Sequence, residues 1–485
     1  MSVAVDAETE HRQAVDEVRR GLAALPEHAP VRLRKKTSNL FRFRGGEGGL
    51  AVDGLDRVLS VDPEARTADV GGMTTYSDLV AATLPYGLMP LVVPQLKTIT
   101  LGGAVVGLGI ESTSFRDGLP HESVLEADVL TGTGDILSTS EHPDLLAGLP
   151  NSYGTLGYAL RLRIELAPVR PFVRLRHVRF DTAHEAATAL AEITASRSWA
   201  GERVDFCDGV VFSPTEQYLT LGEMVDAAPY LSDYTGQRIY YRSIQERDTD
   251  FLTIHDYLWR WDTDWFWCSR ALGVQHPVVR RLWPARYRRS DVYRRLVALD
   301  RRLGLSQAVA RRHGAVGVEP IIQDVEVPVD RLPEFLAFFH DEIGIRPIWL
   351  CPLRQRRTER SGAEQIPRTE RSGAEQIPRT ERSGAAQIQH RPMWPLYPLD
   401  PDTTYVNVGF WSDVELAPGQ APDHHNRRIE QVLLAMDGHK SLYSTASYAR
   451  EEFDALYGGA TYRELKARYD PDTRLPDLYT KTVTG

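Results

Sequence analysis

The sequence predicts an α+β chain of two packed units, and three observations lead to that class. Short β-type runs and short helical runs alternate densely between residue 31 and about residue 170. Glycine turns separate those runs. The 485 residues also exceed what one hydrophobic core holds, so a second unit follows the first. In chain order, the stretch up to Leu22 reads as a polar helix with Val15, Val18 and Leu22 along one side, an N-terminal extension over 1–30. Leu50–Val52, Val58–Val61 and Thr67–Val70 are brief strands, and Tyr76–Leu84 is a helix stopped by Pro85 and Gly87. Val124–Thr131 and Asp135–Ser138 form a hairpin across Thr133–Gly134, and Leu156–Leu166 is a further strand. Near residue 172 the texture changes. Ala183–Ala195 is an alanine-rich helix, Gly209–Phe212 and Tyr218–Leu221 are strands, and 247–300 is rich in aromatics and arginine. Pro320–Pro328, Pro347–Cys351 and Tyr405–Phe410 read as strands, with a helix over Leu332–Phe339. The units are therefore 31–171 and 172–455, with a tail over 456–485 that packs back on the first.

A charged content of 25% is that of a soluble globular protein, and no apolar run reaches the roughly 18 residues a membrane helix needs. The start has no signal-peptide core, so a cytoplasmic protein is expected. The net charge of -9 argues against a nucleic-acid partner, which requires a positive surface. Cys207, Cys268 and Cys351 stand too far apart for a metal motif, and no metal site is expected. Two basic stretches oppose the average: Arg32 to Arg44, and residues 280–312, where arginines alternate with Leu282, Trp283, Tyr287, Leu296 and Leu299. The second has the profile of an amphipathic segment that rests on anionic lipid at the inner face of a membrane; the competing reading is a solvated arginine-rich helix. The unit RTERSGAEQIP begins at Arg357 and recurs at Arg368 and Arg379, the last copy with Ala386 in place of Glu. Each full unit is polar and self-neutralising, too short for the roughly 20-residue minimum of a solenoid repeat, so 357–388 reads as a disordered surface loop inserted between two strands.

The most informative segment is Thr98–Gly118, TITLGGAVVGLGIESTSFRDG. Glycines at that density let backbone N–H groups approach a diphosphate. The pattern is not the dinucleotide fingerprint of a doubly wound fold, which follows a first strand and opens a helix. A second cluster, Ser152-Tyr-Gly-Thr-Leu-Gly157, follows beyond the hairpin. One glycine-rich loop is weak evidence for a nucleotide site, and two that bracket a hairpin are far more specific.

On these residues, and on the basic start before Gly45-Gly46, the chain resembles the PCMH-type FAD-binding module of the vanillyl-alcohol-oxidase flavoproteins. Within that superfamily it resembles the delta(24)-sterol reductase (Diminuto-type) group and its bacterial methylene-fatty-acyl reductase branch. Gln323–Pro328, Ile348–Pro352, Tyr405–Gly409, Tyr448–Phe453 and Leu456-Tyr457 extend the likeness over roughly 35–485, repeats excluded. The resemblance implies a two-subdomain FAD module over 31–171 and an α+β substrate (cap) domain with an antiparallel sheet over 172–455. It implies FAD contacts from Thr98, Thr100, Leu101, Gly102, Gly103, Gly107, Gly109, Ile110, Glu111, Ser112, Thr113, Ser114 and Gly118, closed by Gly154, Thr155 and Gly157. Relatives that tether FAD covalently do so through a His; Lys35–Asn39 holds none, so non-covalent FAD is expected. The sterol reductases of animals and plants begin with a membrane-anchoring apolar segment, and none is expected here.

The implied reaction is reduction of an isolated alkene, with NADPH as electron donor. It takes a hydride equivalent from reduced flavin at one carbon and a proton from the protein at the other. Asp324 shares a strand face with Glu326 and is the first candidate acid, against a structural acid paired with arginine. His255 and Tyr257, in an aromatic run from Trp259 to Trp267, are the second pair, against plain core packing. The arginine bias and missing anchor fit a bacterial setting, where sterols are uncommon. The expected substrate is then a phospholipid-bound acyl chain whose 10-methylene branch becomes 10-methyl, with a lipid methyltransferase as the partner that makes the alkene. The alternatives are a delta(24)-sterol side chain, oxidation of an alcohol or sugar lactone, and a non-enzymatic flavin-binding or lipid-carrier protein.

Overall fold

The computed structural model describes residues 2–26, 29–35, 49–303, 317–356, 393–444 and 446–484. Residues 36–48, with the segment searched for a tethering His and the Gly45-Gly46 turn, lie outside them, as do Arg311, Arg312 and the repeats at 357–388. Two antiparallel sheets of six and eight strands carry the chain, which is mixed helix and sheet.

Helix α1 (Ser2–Ala23) buries Ala14, Val18 and Leu22 against Leu50, Val52 and Leu55. That stripe recurs every four residues, so Ala14 takes the place expected for Val15, which is only partly buried. The first sheet comprises β1 (Val58–Asp62), β2 (Thr67–Gly71), β3 (Leu88–Pro90), β4 (Val124–Leu130), β5 (Ile136–Ser138) and β6 (Tyr158–Pro168), in the order β1-β2-β6-β4-β5 with β3 also on β6. The hairpin read from sequence is β4–β5, with Asp128 opposite Ser138. In β6, Leu160, Leu162 and Ile164 point into the core. Arg161 between them points outward into Asp69, Glu126 and Asp128. Helix α2 (Tyr76–Thr83) is capped by Thr75.

The glycine-rich segment is not the open loop its composition suggests. Residues Leu101–Gly107 form a short helix, α3, whose first turn is capped by Thr100 Oγ1 accepting from Gly103 N at 3.2 Å. Gly102 is required because a Cβ there would lie 2.6 Å from the Gly72 carbonyl oxygen. Part of the glycine content thus serves close packing of helix on strand.

The second sheet comprises β7 (Phe172–Phe180), β8 (Phe206–Ser213), β9 (Glu216–Val225), β10 (Thr249–Thr253), β11 (Gly317–Pro328), β12 (Ile348–Leu353), β13 (Tyr405–Leu416) and β14 (His439–Lys440), in the order β10-β7-β9-β8-β12-β13-β11-β14. The sequence reading missed β7, because Arg174 and Arg176 interrupt its buried Val173 and Leu175. Alternation divides the faces cleanly. On the outer face Cys207, Val211, Ile321, Val325, Leu350 and Val408 pack under α4 (Ala183–Ser196), α7 (Leu332–Phe338) and α8 (His424–Ala435). The inner face, with Phe206, Val210, Trp349 and Cys351, shares its core with the first sheet. Between β10 and β11 the chain makes an excursion through α5 (Pro277–Leu282) and α6 (Ser290–Leu303). Strands β12 and β13, on either side of the repeats, are neighbours in the sheet. After α9 (Arg450–Leu456), α10 (Gly459–Tyr469) returns to the first sheet, where Lys466 Nζ donates to the Thr155 carbonyl at 2.8 Å.

Candidate active site

A cavity of about 200 Å³ lies between the glycine-rich segment and the inner face of the second sheet. Residues 94–96 and 98–100, Gly103 and the turn Gly107–Ile110 form one wall with Tyr153. Trp265, Phe266, Asp324, Trp349, Trp411 and Tyr443 form the other. Strand register assembles the second wall. Asp324 on β11 and Trp349 on β12 both pair with Gly409 on the strand between them. A Cβ at 409 would lie 2.6 Å from Asp324 Oδ1, 3.2 Å from Trp411 and 3.3 Å from Trp349. Glycine is the residue that leaves room for a carboxyl between two indoles.

Trp265 and Phe266 adopt left-handed backbone conformations, with φ of 46° and 60°. Bulky side chains rarely sit there, at a cost of about 1–3 kcal/mol each. The turn sets the Phe266 ring 4.6 Å from Trp411 and stacks it 4.9 Å from Trp261. Trp349 is held by its indole N–H, which donates to Asp208 Oδ2 at 3.3 Å. The same oxygen accepts from Arg260 at 2.8 Å and from Trp261 Nε1 at 2.9 Å. A buried ion pair therefore fixes the aromatic wall from behind.

Burial pushes the Asp324 carboxyl up to about 7, opposed by the Tyr443 hydroxyl. Burial pushes Glu326, on the same strand face, up to about 8, against hydrogen bonds from Tyr397 and Asn407. Glu326 Oε1 accepts from Asn407 Nδ2 at 2.9 Å and from Ser441 Oγ at 3.0 Å. Ser441 also donates its backbone N–H to the Asp324 carbonyl at 3.1 Å and lines the cavity. Ser441 thus holds the Glu326 carboxyl with its side chain and the Asp324 strand with its backbone.

An FAD binding domain family matches residues 12–140, the span that holds β1 to β5 and the glycine-rich wall. Human delta(24)-sterol reductase is 23% identical over 443 residues, 87% of this chain and 75% of the human protein. The Arabidopsis thaliana delta(24)-sterol reductase is 24% identical over 455 residues, 88% of this chain and 75% of that protein. Cytokinin dehydrogenase 2 of Oryza sativa subsp. japonica is 33% identical over 169 residues, 34% of this chain and 27% of that protein. This chain is an FAD-binding oxidoreductase related to the delta(24)-sterol reductases.

The cavity of this oxidoreductase fits a flat fused ring. Its walls are aromatic on one side and glycine-thinned backbone on the other: a Cβ at Gly109 would lie 3.1 Å from both Pro94 and Pro120. Gln95, on the glycine-rich side, carries a buried Nε2 with no hydrogen-bond partner among the described residues, a donor suited to a ring oxygen or nitrogen. Lys35 stands at the rim; the rest of the Lys35–Asn39 segment lies outside the described residues.

Of the residues expected to hold FAD, Thr98, Thr100, Gly103, Gly107, Gly109 and Ile110 line the cavity. Leu101 and Gly102 do not: Leu101 is buried in the core and Gly102 sits against Gly72. Glu111, Ser112, Thr113 and Ser114 are buried and turned into the protein. Ser114 Oγ accepts from Glu111 N at 3.0 Å, Thr113 Oγ1 donates to the Leu91 carbonyl at 2.7 Å, and Ser112 Oγ accepts from Tyr257 at 2.9 Å. A Cβ at Gly118 would meet Glu122, one at Gly154 would meet Tyr158, and one at Gly157 would meet Val129. Thr155 Oγ1 donates to the Ser152 carbonyl. In the second glycine cluster it is Tyr153 that reaches the cavity, placed by donation of its N–H to Val106 and its hydroxyl to Gly107.

Among the expected acids, Asp324 lines the cavity. His255 does not; its side chain is 57% exposed and faces Asp256 at 3.2 Å. It sits on the solvent side of a five-residue helix, Ile254–Leu258, capped by Thr253. Tyr257, on the inner side of that helix, is buried but stacked under the Arg260 guanidinium at 3.9 Å, away from the cavity. Trp411 carried no signal in the sequence, since its place beside Asp324 depends on cross-strand register. Cys351 is a buried strand residue, its thiol pushed up by burial.

Proposed function

We propose that this oxidoreductase reduces an isolated carbon–carbon double bond in a lipid, with NADPH as electron donor. The substrate we favour is a phospholipid acyl chain bearing a 10-methylene branch, which becomes a 10-methyl branch. The observation that carries the reading is the Asp324 carboxyl, set in an aromatic-walled cavity and held up to about 7 by burial. Bound FAD supplies the two-electron chemistry. Asp324, protonated below that pH, delivers its proton to the terminal alkene carbon. The indole faces of Trp349 and Trp411 stabilise the positive charge that develops at the branched carbon. The apolar walls exclude water and receive the acyl chain.

The similarity to delta(24)-sterol reductases along 87–89% of the chain supports a sterol side chain as the second reading, because the same acid and walls serve it. In the favoured reading the enzyme works in the cytoplasm at the inner face of the membrane, and a lipid methyltransferase supplies the alkene. The test has two parts. Anaerobic NADPH is expected to bleach the flavin, and the methylene phospholipid to restore its colour faster than a delta(24) sterol does. Cells without the gene are expected to accumulate methylene lipids. A flavin that NADPH does not bleach, or that only the sterol reoxidises, rejects the favoured reading.

A further inference from the structure

We propose that the α5–α6 excursion of the cap is the surface by which this protein docks on an anionic lipid bilayer. This deepens the lipid reading above but stands on separate observations. Five of the eleven large apolar side chains that are exposed among the described residues lie between 278 and 299. Helix α5 is inverted relative to a water-facing helix. Its apolar Val278 and Leu282 are 61% and 78% exposed, whereas Arg280 on the same turn is 1% exposed. Arg280 is buried in a two-pronged contact with Asp264 at 2.6 and 3.0 Å and donates to the Gly236 and Arg238 carbonyls. A helix that turns its valines and leucine outward and a guanidinium inward is unfavourable in water and suited to an apolar exterior.

Charge selects the occupant. Residues 277–303 hold nine arginines against two aspartates, in a chain whose net charge is -9. Arg281 and Arg286 flank the exposed Leu282 and Tyr287. An apolar centre within a basic rim matches acyl chains below anionic headgroups. A second copy of the chain on this patch would set arginine against arginine across the interface.

The excursion is also joined to the active site. Ser290, which opens α6, donates to Asp262 Oδ1 at 2.6 Å, and the same oxygen accepts from the Lys97 N–H at 3.1 Å. Lys97 lies between Leu96 and Thr98 in the cavity wall. Tyr293 of α6 donates to the Thr263 carbonyl, two residues before Trp265. The excursion is thus hydrogen-bonded to backbone next to the cavity wall.

The test is co-sedimentation of the FAD-loaded full chain with vesicles of phosphatidylglycerol in phosphatidylcholine, and of phosphatidylcholine alone. Binding is expected to the anionic vesicles and to fall steeply with salt. Leu282→Asp and Arg281→Glu are each expected to weaken it by about tenfold or more, with flavin absorbance and turnover of detergent-dispersed substrate at the parent level. Three results overturn the proposal: no anionic-vesicle binding, parent-level binding by both variants, or a dimer in sedimentation equilibrium that Leu282→Asp makes monomeric. Vesicle binding by a protein that reduces no lipid alkene would reject the proposed function and leave the docking surface standing.

Discussion

Two pairs of carboxyls stand between the sheets, Asp324 half-buried and the other three buried, and they differ in their partners. Asp208 and Glu111 share a cation: Arg260 lies 2.8 Å from the first and 3.4 Å from the second. Asp324 and Glu326 have no ion pair among the described residues and are met by hydroxyls and an amide, from Tyr443, Ser441, Tyr397 and Asn407. A shared cation in one pair and neutral donors in the other give the two pairs different work. The pair that shares Arg260 acts as a strut, because Asp208 also accepts from the indole N–H groups of Trp261 and Trp349. A buried carboxyl with neutral donors keeps its proton, and facing a cavity it can deliver that proton.

The comparison is broken most severely at Asp324. Asp324→Asn retains the shape and removes the proton, so alkene reduction is expected to fall roughly 10²–10⁴-fold. Flavin content should hold and thermal stability should not fall below the parent, because no cation is left unpaired. Stopped-flow reoxidation of the reduced enzyme by the alkene measures the step directly, and a parent-level rate would remove Asp324 from the mechanism.

Arg260→Met tests the other pair and should do the reverse. It strands Asp208 and Glu111 as uncompensated buried acids, a loss of about 3–5 kcal/mol of stability. Urea unfolding reads it, and the double variant Arg260→Met/Asp208→Leu should recover much of the loss. If the single variant is as stable as the parent, the strut assignment is wrong.

Gly409→Ala probes the wall between the two clusters. The added methyl must displace Asp324 or an indole, a strain of about 1–3 kcal/mol, with activity falling more than stability. This position also shows where sequence reading stops. Alternation alone put Asp324 and Glu326 on one face, because period two is a local property. What lies opposite them is set by β13, more than eighty residues further along the chain, and no spacing announces that register. The glycine segment divides in the same way. Its glycines are legible, but whether each admits a ligand or another backbone depends on what faces it. Gly103, Gly107 and Gly109 face the cavity and Gly102 faces Gly72. His255 was attractive as a polar residue in an aromatic run, yet a five-residue helix has an outer side and His255 occupies it. Arg260, 52 residues from Asp208, gave no sign of its role.

The smallest effect sharpens the comparison through pH. A carboxyl whose folded pKa is raised binds more protons folded than unfolded between the two values, so stability falls as pH rises through that window. For Asp324 the window runs from its ordinary value of 3.8 to about 7, and for Glu326 from 4.5 to about 8. Unfolding free energy should therefore decline between pH 5 and 8. The decline should be shallower in Asp324→Asn and in Glu326→Gln, and shallowest in the double variant. Glu111 contributes to the same slope, since burial lifts it to about 7 against the pull of Arg260. The double variant consequently retains a residual slope, which Glu111→Gln should remove without loss of alkene reduction. That separation of a shared pH signature from an unshared catalytic role distinguishes an acid that holds the wall from one that serves the substrate.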